Sequence, residues 1–268
     1  MALHLANSPF IERSGRWQAS DNGALLASWC GASLKFIHTG RTLSIKTGPQ
    51  TERKDRFNGG TLMVACVISQ DSEGEEIALY DFEPSQTKEL FVARSEDEVW
   101  KRRTVELTLI DWASVLEIEA FMVPSAGDIT RPLRSNYIRS LHIGDSISCG
   151  FSDGCVPISR GCLDAFPFVV RDALRREGVM VEVDMVAFPG VSLTDPTREE
   201  MDSEENLPKG METRFSHASP WSDLDYEGVH LPTHLLVVAL GNHFHILPCE
   251  ALMEYDQVQM TMPEVWIQ

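Results

Sequence analysis

Apolar and polar residues alternate with a period of two along most of the first 120 residues of this 268-residue chain. Such alternation predicts strands with one buried and one solvated face. Turn-forming residues, as at Asn58-Gly59-Gly60, separate the strands. A series of about seven short strands favours a β-sandwich, which we place at residues 1–130. The strand-forming segments include 34–36, 43–46, 61–69, 77–83, 104–109 and 116–120.

The pattern changes after residue 123. Residues 124–136 contain two prolines, one glycine and few large apolar side chains, which predicts a linker. Beyond it, strand-like apolar runs at 138–143, 179–185 and 235–240 surround a helical segment. Strands that alternate with helices predict an α/β domain with a parallel sheet, which we place at residues 136–268.

The helical segment is predicted at 166–177. Asp164 is its expected cap, Pro167 lies in its first turn, and Gly178 ends it. The periodicity places Arg171 and its polar neighbours in solvent. The residues expected on the inner face are Phe168, Val169, Ala173 and Leu174.

Each predicted strand of the second domain leads to a polar or glycine residue. The strand at 138–143 stops at Gly144-Asp145-Ser146, which puts Ser146 where open α/β sheets place their ligands. Its hydroxyl is suited to attack a carbonyl, and its N–H to receive the oxyanion. The other two strands lead to Gly190 and Asn242, so the three groups are predicted to converge on one crevice. The alternative is that each strand ends in ordinary turn residues.

The longer sequence around Ser146 carries a family resemblance. Ile143-Gly144-Asp145-Ser146-Ile147-Ser148-Cys149-Gly150 resembles the first block of the SGNH (GDSL-type) hydrolases, most closely the two-domain carbohydrate esterases of the acetylxylan-esterase type. Residues 187–192 and 232–242 resemble the second and third blocks. The resemblance implies a jelly-roll-like sandwich followed by a three-layer α/β domain. It also implies Ser146 as nucleophile, Gly190 and Asn242 as oxyanion-hole donors, a small-molecule or carbohydrate ester as substrate, and no cofactor or metal.

Two features depart from the family pattern. The third block of the family is Gly-x-Asn-Asp, whereas this chain has Gly241-Asn242-His243-Phe244. The late Asp-x-x-His block, which supplies the catalytic base, does not occur in the sequence. We therefore expect an α/β domain that is incomplete at its C-terminus. His243 and His245 are the nearest substitute bases. Asp145 is expected to brace the loop, and packing or surface roles are expected for His142, His230 and His234.

The net charge bears on which kinds of partner the protein can bind. Forty acidic residues against 23 basic ones give a charge of −17, which disfavours nucleic acids and anionic membrane surfaces. No apolar run reaches the roughly 20 residues that span a bilayer. Residues 1–7 lack the basic start and apolar core of a signal peptide, so we expect a cytoplasmic protein.

The cysteines and two tryptophans favour structural roles. The six cysteines include no Cys-x-x-Cys pair, so buried free thiols are expected, with a Cys155–Cys162 disulfide as the alternative. Trp17 and Trp29 lie in short stretches that resemble the opening of the family's sandwich domain. We expect them in a core or at the seam between the domains, with sugar stacking as the alternative.

Three hypotheses about function follow. The first is a serine ester hydrolase of the SGNH type that removes acetyl groups from carbohydrate or cleaves a similar small ester. The second is a non-catalytic carbohydrate-binding or interaction protein that retains the crevice. The third is a truncated product without independent function.

Overall fold

A computed structural model describes residues 1–55, 60–70, 74–132, 137–151, 158–197, 209–227, 233–240 and 243–248. The strands are β1 (Ala2–Leu5), β2 (Glu12–Ser14), β3 (Gln18–Ala19), β4 (Leu25–Ala27), β5 (Ser33–His38), β6 (Thr42–Thr47), β7 (Glu52–Arg53), β8 (Val64–Gln70), β9 (Gly74–Tyr80), β10 (Thr87–Val92), β11 (Arg103–Leu109), β12 (Ser114–Val123), β13 (Ile129–Thr130), β14 (Ile138–Gly144), β15 (Val181–Ala187), β16 (Leu235–Leu240) and β17 (His243–Pro248). The helices are α1 (Glu96–Val99), α2 (Ser146–Cys149), α3 (Phe166–Arg176) and α4 (Met211–Arg214). Within these described ranges, no helix is both long and apolar enough to span a bilayer.

The first thirteen strands form two antiparallel sheets that face each other. One sheet has the order β10-β6-β12-β4-β3, with β1 and β7 also paired to β12, and the other has the order β13-β5-β11-β8-β9, with β2 paired to β5. Alternate side chains of both sheets fill one core, and the Phe36 and Phe121 rings meet across it with centroids 4.7 Å apart. The predicted sandwich is therefore present, because period-two strands bury one face each. Its jelly-roll strand order stays a prediction.

Two local features of the sandwich were not expected from the sequence. The one-turn helix α1 interrupts the strands because Ser95 caps it, accepting from the Glu98 N–H at 3.4 Å. The predicted linker 124–136 contributes β13, which pairs with β5 of the sandwich. Residues 133–136 lie outside the described part of the chain.

The α/β part contains a four-stranded sheet in the order β15-β14-β16-β17. β14 is central and runs parallel to both β15 and β16, as predicted. β17 pairs antiparallel with β16, so the described sheet is mixed at this edge. Only two residues separate β16 from β17 in the sequence, and a connection this short joins antiparallel rather than parallel strands. A third layer stays a prediction.

The long helix forms where the sequence predicts it, but it presents a different face to the protein. Its N-cap is Ala165 and not Asp164, whose carboxylate accepts from the Arg160 Nε at 2.8 Å instead. Phe168 is buried as expected, whereas Val169 is 47% exposed. Ala173 and Leu174 are also exposed. Arg171 turns inward because α3 packs beside the sandwich, where Glu106 lies 3.6 Å from its Nη1.

A second core joins the sandwich to the α/β sheet. Trp29, Ile110 and Trp112 of the sandwich pack there with Phe168 and Met185. Trp29 is fully buried, and Trp17 lies in the sandwich core. Both tryptophans therefore have the structural roles predicted for them.

Three free thiols meet in this second core. Cys30 comes from the sandwich, and Cys149 and Cys162 come from the α/β part; all three are buried. The hydrogen bond to the Cys149 thiol, with burial, raises the pKa of Cys30 well above its ordinary value. The predicted free thiols are confirmed for these cysteines and for Cys66. Cys155, the other half of the alternative disulfide, lies outside the described residues, and so does Cys249.

Candidate active site

Ser146 opens a short helix immediately after the central strand. Asp145 is the N-cap of α2, and its carboxylate accepts from the Ile147 N–H at 3.0 Å. Gly150, at φ 71°, ends the helix after a single turn. The predicted bracing role of Asp145 is visible here, since this hydrogen bond fixes the turn on which Ser146 is half-buried.

The close approach of α2 to the strand requires glycine at position 144. A Cβ built on Gly144 would lie 2.0 Å from the Ser148 Oγ and 2.4 Å from the Ser148 Cβ. Ser148 is fully buried, and its hydroxyl has no hydrogen-bond partner among the described residues. The contact between Gly144 and Ser148 thus sets how closely the Ser146 turn follows the sheet.

The loop that carries Gly190 is attached to the same strand end. Gly144 lies opposite Ala187 in the register of β14 and β15, and its carbonyl accepts from the Phe188 N–H at 3.2 Å. Gly190 follows three residues after Ala187 with φ 72°, and a Cβ there would meet no atom within 4 Å. The backbone of Gly190 is therefore open to an approaching ligand, at the edge of the sheet where Ser146 lies.

β16 ends at the same level on the other side. Ala239 lies opposite Gly144, so β15, β14 and β16 end side by side, as the sequence predicts for adjacent parallel strands. Asn242 lies outside the described residues. His243 is the first residue of β17 and lies opposite Leu240, at this edge of the sheet. Whether Ser146, Gly190 and Asn242 share one reaction centre stays a prediction.

Two other histidines have structural surroundings. His142 is buried, its Nε2 lies 3.2 Å from the Ser140 Oγ, and its ring meets Phe166 edge-on. Burial lowers the pKa of His142 to about 4. His234 precedes β16, at the opposite end of the sheet, and its Nδ1 accepts from the Arg139 N–H at 3.0 Å. The expectation of a packing or surface role is therefore confirmed, with His142 packed in the interior and His234 exposed at the surface. His230 lies outside the described residues.

Sequence reasoning missed an aromatic cluster beside the candidate site. Trp112 from the sandwich stacks with Trp221 at 6.3 Å between centroids and meets Phe188 edge-on at 5.6 Å. Phe151, just beyond α2, lies 5.6 Å from Trp112. These rings come from four distant segments, so no local pattern could group them. They adjoin both the Ser146 helix and the loop to Gly190.

Two buried contacts hold the loop that carries Trp221. The Arg16 Nη1 donates to the His217 carbonyl at 2.8 Å, and the Trp29 Nε1 donates to the same oxygen at 3.2 Å. The Arg16 guanidinium also lies 4.7 Å from the Phe215 ring centroid, and burial lowers its pKa to about 10. The sandwich thereby positions part of the wall around the candidate site.

The sequence and the structure were compared with known proteins, and only solved structures match. No family profile and no curated protein matches the sequence. Among solved structures, a family two carbohydrate esterase from Cellvibrio japonicus matches with a TM-score of 0.66 and 19% identity, over 90% of this chain and 67% of the other. The chain has the fold of the family two carbohydrate esterases. The resemblance read from the sequence around Ser146 is therefore confirmed as a likeness of fold, whereas the jelly-roll order and the third layer stay predictions.

Two further carbohydrate esterases share this esterase fold. One, from Clostridium thermocellum in complex with cellohexaose, has a TM-score of 0.59 and 15% identity, over 86% of this chain and 65% of its own. The other, an acetyl xylan esterase from Butyrivibrio proteoclasticus, has a TM-score of 0.60 and 14% identity, over 98% of this chain and 68% of its own. The chain spans about two thirds of the length of these structures. At such identities the likeness establishes the esterase fold alone.

Proposed function

We propose that this protein is a serine ester hydrolase that acts on carbohydrate esters, with acetyl as the favoured acyl group. The observation that carries the proposal is the position of Ser146 on a capped turn at the carboxyl end of the central parallel strand. Ligands of open α/β sheets bind at such strand ends. The esterase fold supports an ester as substrate, and the cellohexaose complex of one structural neighbour supports a carbohydrate.

In the proposed reaction, the Ser146 Oγ attacks the acyl carbonyl carbon and forms a tetrahedral intermediate. The Ser146 and Gly190 N–H groups and the Asn242 side-chain amide stabilise the negative oxygen, and one such donor lowers the barrier by about 3–4 kcal/mol. The sugar hydroxyl leaves with a proton, and water then hydrolyses the acyl-serine. Serine needs a base within hydrogen-bond reach for this reaction. His243 is the best-placed histidine, because its backbone lies at the Ser146 edge of the sheet.

The test is hydrolysis of p-nitrophenyl acetate, followed by acetate release from acetylated xylan. We expect Ser146→Ala to lower the rate by about 100-fold or more, the usual contribution of a working nucleophile–base pair. Ser148→Ala is the matched control, since this serine lies on the same helix but is fully buried. His243→Gln should lower the rate as Ser146→Ala does if His243 is the base. Equal rates for the wild type and Ser146→Ala would contradict the enzyme proposal.

A non-catalytic carbohydrate-binding protein is the second candidate. It is favoured by the positions of two histidines: His142 is buried beside Ser140, and His234 lies at the opposite end of the sheet from Ser146. Without a base, a serine site retains only the modest acceleration that binding and the oxyanion hole supply. Calorimetric binding of cellohexaose together with unmeasurable ester turnover would favour this candidate.

A further inference from the structure

A second concave site lies away from the Ser146 edge. It is a groove of about 920 Å³ between the sandwich and the start of the α/β sheet. Arg139 and Glu182, near the first residues of β14 and β15, line it. Arg139 precedes Gly144 by five residues, so at about 3.3 Å per residue the groove lies roughly 16 Å from the candidate active site. The groove is therefore a separate site on the same protein.

The lining of the groove is far less acidic than the chain as a whole. Four glutamates and no aspartate line it, against six basic side chains, whereas the chain carries −17. At physiological salt, charges act over about 8 Å, so two aspartates beside the lining also count. Asp184 accepts from the Ser14 hydroxyl at 2.6 Å and Asp172 lies 2.8 Å from Arg171, and together they balance the two excess positive charges of the lining. The basic side chains are Arg13, Lys35, Arg131, Arg139, Arg171 and Arg175.

The ion pairs of Glu106 and Glu182 in the groove are long. Glu106 lies 3.8 Å from the Lys35 Nζ and 3.6 Å from the Arg171 Nη1. The Arg139 Nη2 lies 3.5 Å from the Glu182 carboxylate. Charge-assisted hydrogen bonds measure about 2.7–2.9 Å, so Lys35 and Arg139 neutralise the glutamates without committing their N–H donors to them. Arg171 differs, because its Nε and Nη2 both lie 2.8 Å from the Asp172 carboxylate.

Further donors are available in the same wall. The Arg139 Nη1 is buried and has no hydrogen-bond partner among the described residues. Arg175 donates its Nε to the Val181 carbonyl at 2.9 Å, and within the described ranges it forms no ion pair. This bond anchors a guanidinium in the groove wall. Planar guanidinium groups match carboxylates through paired N–H donors.

The groove also has the size and the aromatic surface for a ligand larger than a simple anion. Its volume lies in the upper part of the range of about 300–1,000 Å³ found for ligand pockets. Tyr137 and Tyr226 line it, and the Lys35 Nζ lies 5.6 Å from the Tyr137 ring centroid. Tyrosine rings beside cationic donors suit a ligand that combines apolar ring faces, hydroxyls and carboxylates.

We propose that this groove binds an acidic oligosaccharide through its uronic-acid carboxylates. The choice of a sugar rests on the proposed function, whereas the choice of a carboxylate rests on the cations and their long ion pairs. A carbohydrate esterase with this groove would hold acidic, substituted chains at a site apart from the one where it cleaves the ester.

Calorimetric titration of the full chain tests the proposal with three probes: trigalacturonic acid, citrate and neutral xylotriose. We expect trigalacturonic acid to bind, and to bind at least about tenfold more weakly when sodium chloride rises from about 20 mM to about 0.5 M. Citrate and xylotriose should bind at least about tenfold more weakly than trigalacturonic acid at low salt, because citrate has no sugar rings and xylotriose has no carboxylates. Citrate binding as tight as that of the trisaccharide would overturn the sugar assignment. Failure of trigalacturonic acid to bind would overturn the site.

Two substitutions of opposite sign locate the binding. Arg175→Gln removes a guanidinium and should lower the affinity for trigalacturonic acid about tenfold. Glu12→Gln should raise the affinity for trigalacturonic acid severalfold, because this substitution frees Arg131, whose Nε lies 3.3 Å from the Glu12 carboxylate. A folding defect cannot produce this gain. Arg41→Gln is the control with the same charge change as Arg175→Gln, on an exposed side chain outside the groove. Equal affinities for all three variants and the wild type would refute the assignment.

The Ser146→Ala variant separates this inference from the proposed function. The groove lies at the other end of β14, so Ser146→Ala should bind trigalacturonic acid as the wild type does. Loss of ester hydrolysis with retained binding would leave the groove intact as a site. Loss of binding in Ser146→Ala would show that the acid binds at the serine, and would refute the groove.

Discussion

Gly144→Ala tests how the sheet positions the candidate nucleophile. A Cβ at residue 144 would lie 2.0 Å from the Ser148 Oγ and 2.4 Å from its Cβ, with the Ala239 carbonyl oxygen at 3.2 Å. Non-bonded carbon atoms prefer separations of about 3.5–4.0 Å. The backbone at this position is of the ordinary extended kind, so the clash alone opposes alanine. The substitution must therefore push α2 away from the strand.

The size of the effect follows from this displacement. Overpacking in a close-packed core costs about 1–3 kcal/mol, and we expect the free energy of unfolding to fall by that amount. Relief of the clash needs a shift of about 1 Å of the helix that carries Ser146. A misplacement of this size costs about 100-fold in rate, so we expect ester hydrolysis to fall correspondingly.

A double-mutant cycle with Ser148→Gly provides the decisive measurement. Ser148→Gly removes both clashing atoms, at a cost of about 1 kcal/mol for glycine in a helix. Urea unfolding should then show a favourable coupling of about 1–2 kcal/mol, and hydrolysis should recover at least tenfold relative to Gly144→Ala. Ser148→Ala keeps the Cβ and should restore much less. Unchanged stability in Gly144→Ala, or purely additive single effects, would refute this account of the Ser146 turn.

Two other buried side chains give further predictions. Because the pKa of His142 in the folded protein, about 4, lies below its ordinary 6.5, the neutral ring contributes stability that is fully present above pH 6.5 and is lost as the pH falls towards 4. Between pH 7 and 4 the wild type should lose about 3 kcal/mol more than His142→Gln in urea unfolding, and parallel losses would contradict this. Arg16→Lys loses the guanidinium contact with the Phe215 ring and should lower the free energy of unfolding by about 1–3 kcal/mol, whereas Arg41→Lys, on an exposed side chain, should not.

The sequence alone determined the features that depend on neighbouring residues. Alternating residues in β5, β6, β11 and β12 predict strands, because only one face of each strand meets the core. The turn at Ser146 is equally local, since a glycine, a capping aspartate and a serine follow a buried strand directly. The side-by-side ends of the parallel strands also follow, because chain direction in a parallel sheet leaves few alternatives.

Only the tertiary structure decided which surfaces meet. The periodicity of α3 predicts Val169 inside and Arg171 outside, yet Glu106, which is 65 positions earlier in the chain, draws Arg171 inward. The aromatic cluster around Trp112 and the arginine-lined groove depend in the same way on contacts between the sandwich and the α/β sheet. Hydrophobic periodicity predicts which side chains are buried, but it does not predict which residues they pack against. The chemistry of these sites therefore emerges only when distant segments pack together.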